Sequence, residues 1–199
     1  HPGEKYVIRH EDAWPIPRTE WTKFYLSPDG RSLGHAPFKG NSVLNYHTQG
    51  SGLTFWSDPM KDEVEITGPL AAKLWVSSLT SDADLFLILR LFDPEGKEVL
   101  FHGANDPKQP IAFGWLRASH RKLDPALSEP YRPYHAHDEK QPLKPGEEAE
   151  LDIEIWPTSI VVPEGYRLAL SVRGRDYEFD GSDAALPNAP YPMKGVGPF

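Results

Sequence analysis

Residues 149–156, AELDIEIW, set Ala149, Leu151, Ile153 and Ile155 against Glu150, Asp152 and Glu154 in strict alternation. A helix would scatter that apolar set around its axis and stack Glu150 one turn from Glu154, whereas an extended strand puts every apolar side chain on one face. The alternation predicts a half-buried strand. YRLALSVR repeats it through Tyr166, Leu168, Leu170 and Val172, after the turn signal VPEG. DLFLILRLFD, residues 84–93, is apolar on both sides, which predicts a strand covered on both faces. Asp93-Pro94-Glu95-Gly96 then turns it into KEVLFH as a hairpin.

TKFYL, SVLNYH, LTFWS, VEIT, AAKLWVSSL and IAFGWLRAS add further strands between turns such as SPDG and KPGE. About ten short strands spaced in this way predict an all-β chain, a two-sheet sandwich or jelly roll. The 21 prolines, spread from Pro2 to Pro198, interrupt nearly every stretch in which a long helix could form. Residues 121–147 and the tail from Gly174 have no periodicity; proline-punctuated connections of such length cover something or meet a partner.

Composition changes the picture only at its edges. A formal charge of −8 with no basic run disfavours nucleic acid as a partner. Leu85 to Leu89, closed by Asp84 and Arg90, is too short to span a bilayer, so no membrane insertion is expected. The chain has no cysteine, which fits a cytoplasmic location and is also met in secreted proteins. It begins His1-Pro2-Gly3 without an initiator Met and reads as part of something longer. A homo-oligomer is compatible with all of this.

Three patterns invite chemistry. Gly30-Arg31-Ser32-Leu33-Gly34 fits the G-x-S-x-G of a nucleophile elbow, which needs a strand before the serine and a helix after it. The next residues are HAPFKGNS, where Pro37 and Gly40 forbid a helix, and Ser-Pro-Asp-Gly accounts for the stretch as a β-turn. Ser32 is therefore expected to be structural. His135 and His137 project to one side of an extended segment, as two imidazole ligands of a metal would, with Asp138 or Glu139 beside them. Cupin metal sites open with such an H-x-H, but the spacing from His137 to Glu139 departs from theirs, and a histidine pair without metal is the expectation. A cupin-like metalloprotein stays as an alternative. Six Trp and eight Tyr allow a carbohydrate-binding module as another, with Tyr46 and Trp56 beside the loop HTQGSG and Trp75, Trp115 and Trp156 in strand patterns. No catalytic carboxylate pair stands out, and no cofactor is implied.

WPIPRTEWTKFYL, VEITGPLAAKLWVSSLTSDADLFLILRLFDPEG, GWLRASHRKLDP, LKPGE and IEIWPTSIVVPEGYRLALSVRGRDY succeed one another across about 170 residues. In this order and spacing they make the chain resemble the C-terminal non-catalytic domain of the X-Pro dipeptidyl-peptidase and cocaine-esterase (CocE/NonD) family of serine hydrolases. The resemblance implies a galactose-binding-like jelly-roll sandwich of two antiparallel sheets with long proline-rich loops. It implies that residues 1–18 connect from a preceding α/β-hydrolase domain and that residues 19–199 form the sandwich. The triad of the family lies in the hydrolase domain, so no catalytic residue is expected here, and this chain alone is not expected to be an enzyme. The hydrolase domain of the same protein is the expected partner. The domain would steady it and help wall its substrate pocket, with Tyr46, Phe55 and Trp56 on the substrate side. Members of the family continue past the equivalent of Phe199 with a last strand or hairpin, so a final strand is expected to be absent or supplied from elsewhere.

Overall fold

The computed structural model describes residues 1–102 and 108–177. The question of a final strand falls in the tail beyond residue 177 and lies outside the described residues. Among those residues the regular structure is nine strands and two short 3-10 turns. The strands are β1 (Tyr25–Ser27), β2 (Ser32–Gly34), β3 (Leu53–Trp56), β4 (Val64–Val76), β5 (Asp84–Phe92), β6 (Glu98–Val99), β7 (Ala112–Arg117), β8 (Ala149–Val162) and β9 (Arg167–Arg173).

They hydrogen-bond in the order β1-β2-β3-β9-β5-β7-β8-β4, with β6 folded onto β5 as the predicted hairpin. The alternation along β8 has the expected result. Leu151, Ile153 and Ile155 are buried, and they meet Leu85, Leu87, Leu89 and Leu91 of β5 in one core cluster. Two layers therefore sandwich a single core, and each fully buried Leu or Ile contributes about 1.5–3 kcal/mol. Glu150 and Asp152 face outward, where Lys73 of β4 donates hydrogen bonds to both across the strand pair. β5 is covered on its second face too: Phe86, Ile88 and Phe92 are as deeply buried as its leucines.

The layers are not two separate sheets. β7 and β8 join at the single pair Gly114↔Ile155, where the ladder curls over into the second layer. Glycine is required there by the close approach of backbone. A Cβ at position 114 would stand 2.5 Å from the Glu154 carbonyl oxygen and 3.2 Å from Ile155 Cα. One further pairing departs from the expectation of antiparallel sheets, since β2 meets β3 in parallel at Ser32↔Trp56.

VEIT and AAKLWVSSL prove to be one strand, and AELDIEIW continues past Pro157 to Val162. Both extensions cross the same irregularity. Gly68 pairs with Thr158 and Leu70 with Ile155, so β8 has one extra residue there. A bulge leaves backbone N–H groups out of the ladder and so accepts Pro69 and Pro157, which lack them. It also shifts the buried set of β8 from odd to even positions, Ile160 and Val162, and leaves Trp156 outside. SVLNYH forms no strand, although Tyr46 still packs against the core.

Candidate functional site

Ser32 is exposed on β2, which comes after the 3-10 turn Asp29–Arg31, and residues 35–52 beyond it form no helix. The strand-turn-helix setting of a nucleophile elbow is missing, so no helix N-terminus faces the hydroxyl.

The three aromatics expected on a substrate side part company. Phe55 is 5% exposed and belongs to the core. Tyr46 is half-buried against that core, and burial pushes its phenol pKa up. Trp56, next along β3, faces the other side of the sheet, where its ring lies 4.6 Å from that of Phe92. Two guanidiniums lie over this aromatic layer. Arg167 is 5.7 Å from the Trp56 ring and Arg90 is 4.9 Å from that of Phe92, with Arg90 also gripping Glu98 through hydrogen bonds of 2.8 and 2.6 Å. The layer continues through Phe113 and Trp115, stacked at 5.4 Å, to Trp156, edge-on to Trp115 at 4.9 Å. The double-sided apolar pattern of β5 was the sequence signal for it.

The histidines gather more closely than their sequence positions suggest. His135 pairs with Leu123 as a bridge, and its Nε2–H donates to the Asp152 carbonyl of β8 at 2.9 Å. Burial lowers its pKa, with the neighbouring His137 and His120 pushing the same way. The rings of His135 and His137 are 6.1 Å apart. A third imidazole, His120, stands closer: its Nδ1 is 3.2 Å from Nδ1 of His137. His120 is 17 residues away from His137, so no local spacing could have paired them.

The first 44 residues carry the most exposed apolar surface. Tyr6, Val7 and Ile8 are 79%, 88% and 72% exposed, and Trp14, Trp21 and Val43 are also open to solvent. Their backbone is nonetheless held in place. Arg9 forks onto Glu65 of β4 at 3.0 and 2.6 Å and touches Glu11, which also receives both Arg18 amines at 2.6 Å. The Arg18 guanidinium, helped by Arg9, holds the Glu11 carboxyl down at about 2, and Arg9 does the same for Glu65. Such exposed pairs orient a segment rather than stabilise a fold. Ile16 is buried behind them, and Trp21 stacks on Tyr131 of the long loop at 4.5 Å. An arm is thus fixed against the sandwich by Ile16 and these ion pairs, with Tyr6, Val7, Ile8 and Trp14 turned outward. Among the described residues no helix is long and apolar enough to cross a membrane.

A family profile described as the X-Pro dipeptidyl-peptidase C-terminal non-catalytic domain matches residues 3–195. The chain is 30% identical over 200 residues to a candidate serine esterase of Mycobacterium bovis, covering 83% of the chain and 30% of that protein. It is 22% identical over 209 residues to the cocaine esterase of a Rhodococcus species, covering 85% of the chain and 32% of the esterase. The solved structure of a CocE/NonD family hydrolase from Staphylococcus aureus superposes with a TM-score of 0.86 at 28% identity, over 97% of this chain and 34% of that one. An aminopeptidase from a marine sediment archaeon, Thaumarchaeota archaeon, shares the fold at a TM-score of 0.62 and 16% identity, over 85% of this chain and 31% of that one. The chain spans about a third of the length of the relatives it matches.

Proposed function

Because this chain belongs to the X-Pro dipeptidyl-peptidase C-terminal non-catalytic domain family, we propose that it is the accessory β-sandwich of a larger serine hydrolase acting on esters or on peptides and amides. The larger protein would attack an acyl carbonyl with a serine outside this chain, form an acyl-enzyme and release it to water under His–Asp assistance. The sandwich steadies the α/β-hydrolase domain and forms one wall of its substrate cleft. Residues 1–18 lead from that domain, and the loop from Tyr46 to Trp56 lies on the substrate side, with Phe55 packed beneath it as support.

The observation that carries this proposal is where apolar surface is left uncovered. Among the described residues, nine of the fifteen exposed large hydrophobic side chains fall within residues 6–44. Soluble domains seldom leave so many large apolar side chains open within one stretch of chain unless another body covers them. The arginine–glutamate clasp presents the arm in an orderly way, so a partner pays little ordering entropy on docking.

Hydrogen exchange tests the docking. The chain is measured alone and after mixing with the separately produced hydrolase portion of the longer protein. Amides of residues 6–8, 21–25 and 43–44 are expected to slow at least tenfold on mixing. Unchanged exchange in all three stretches would rule out this docking face.

A further inference from the structure

The end of β7 and the loop behind it bring imidazoles together from two passes of the chain. His120 closes the 3-10 turn Ala118–His120. The returning segment lies antiparallel to the residues after it, through the Leu123↔His135 bridge and a 3.0 Å hydrogen bond from the Ala136 N–H to the Lys122 carbonyl. His135 anchors this return to β8 by donating to the Asp152 carbonyl. His137 comes next but one, with φ of 53°, a left-handed conformation uncommon outside glycine, and presents Nδ1 to Nδ1 of His120 at 3.2 Å.

Two facing Nδ1 atoms can share a proton, or both can aim lone pairs at one cation. Nitrogens bound to a tetrahedral ion at ~2.0–2.1 Å stand about 3.3 Å from each other, which matches the observed separation. The ring centroids are 5.3 Å apart and the rings tilt by 46°. Of the carboxylates on the same segment, Asp138 is engaged by Lys122 at 2.9 Å, and Glu139 accepts from the Gln141 amide at 2.8 Å and lies 3.7 Å from Lys122. The donor set is therefore imidazole without free carboxylate, which suits borderline transition ions and not magnesium or calcium. Among the described residues no third His, Asp or Glu converges with such a pair, so the ion's other positions would fall to water.

We propose that His120 and His137 form a two-nitrogen site for a divalent transition ion, Zn²⁺ or Ni²⁺, that pins the long 121–147 loop to the end of β7. His135 is the positioning residue, acting through its hold on β8. The site is built from residues outside the docking arm and does not depend on the hydrolase assignment.

Calorimetric titration of the full chain with zinc chloride at neutral pH tests it. One Zn²⁺ per chain is expected, with the dissociation constant raised at least tenfold in His120→Gln and in His137→Asn and unchanged in His47→Ala. Asparagine tolerates the left-handed backbone, so His137→Asn removes the imidazole while keeping the loop. Imidazole ¹⁵N spectra give a second measure: on adding Zn²⁺ the Nδ1 resonances of His120 and His137 should shift and those of His47 should not. Absence of binding, or binding equally tight in both variants, would overturn the proposal.

Discussion

Leu87→Ala is expected to lower the unfolding free energy of the chain by about 3 kcal/mol, within the ~2–5 kcal/mol usual for emptying a fully buried leucine site. Leu87 has no exposed surface and sits in the middle of β5, opposite Gly114 on β7 and Val172 on β9. The hole it leaves is hard to refill. Gly114 has no side chain to move inward, and its backbone is pinned against β8 at the pair where β7 and β8 join. Because a domain's whole stability is about 5–15 kcal/mol, the loss should be plain in urea denaturation as a lower midpoint at unchanged slope. Leu79, 91% exposed, is the control, and Leu79→Ala should stay within about 0.5 kcal/mol. A loss below about 1 kcal/mol for Leu87→Ala would contradict the packing described.

Gly52→Ala is expected to cost a similar amount for a different reason. Gly52 has φ of 74°, and a Cβ there would stand 2.2 Å from the Val172 carbonyl oxygen and 3.0 Å from Arg173 Cα. The left-handed backbone costs a non-glycine residue ~1–2 kcal/mol, and forcing the two segments apart adds ~1–3 kcal/mol. The combined loss is about 3 kcal/mol. The damage should be local as well as global, since Gly52 precedes the Leu53↔Val172 pair that starts the β3–β9 ladder. Hydrogen exchange should therefore quicken in β3 before it does in β5. A neutral Gly52→Ala would mean that the 46–52 loop is not fastened to β9 as described.

Period-two alternation made β8 legible, because its apolar face up to the bulge is its buried face, and the double-sided apolar run with its turn signal did the same for the β5–β6 hairpin; β9 alternates like β8 but is buried on both faces, with Ala169 and Ser171 as covered as its leucines. Periodicity failed where backbone geometry overrode the pattern. Pro69 and Pro157 read as strand breaks, yet both sit at a bulge that needs no N–H from them. SVLNYH has strand-forming residues, but Val43 and Leu44 face outward and, among the described residues, no strand pairs with them. The curl at Gly114 and the parallel contact of β2 with β3 join segments distant in sequence, and local periodicity has no access to those.

The functional features were legible to different degrees. The lack of a helix after Ser32 could be read from its flanking residues, since Pro37 and Gly40 exclude the one an elbow needs. Phe55 was grouped with Tyr46 and Trp56 by adjacency, but neighbours on a strand face opposite ways, and Phe55 turned inward. The histidine pattern pointed to His135 and His137, whereas the closest nitrogen contact runs from His137 to His120 across a loop closure. The apolar arm left no sequence signal because Tyr6-Val7-Ile8 looks the same whether a core or a partner covers it.

The account rests on the chain being a non-catalytic sandwich, and the most direct test is to offer the purified chain a fluorophosphonate probe and a p-nitrophenyl ester. The account predicts no covalent labelling and ester turnover equal to buffer, in the wild-type chain and in Ser32→Ala alike. Stoichiometric labelling with turnover that disappears in Ser32→Ala would contradict it.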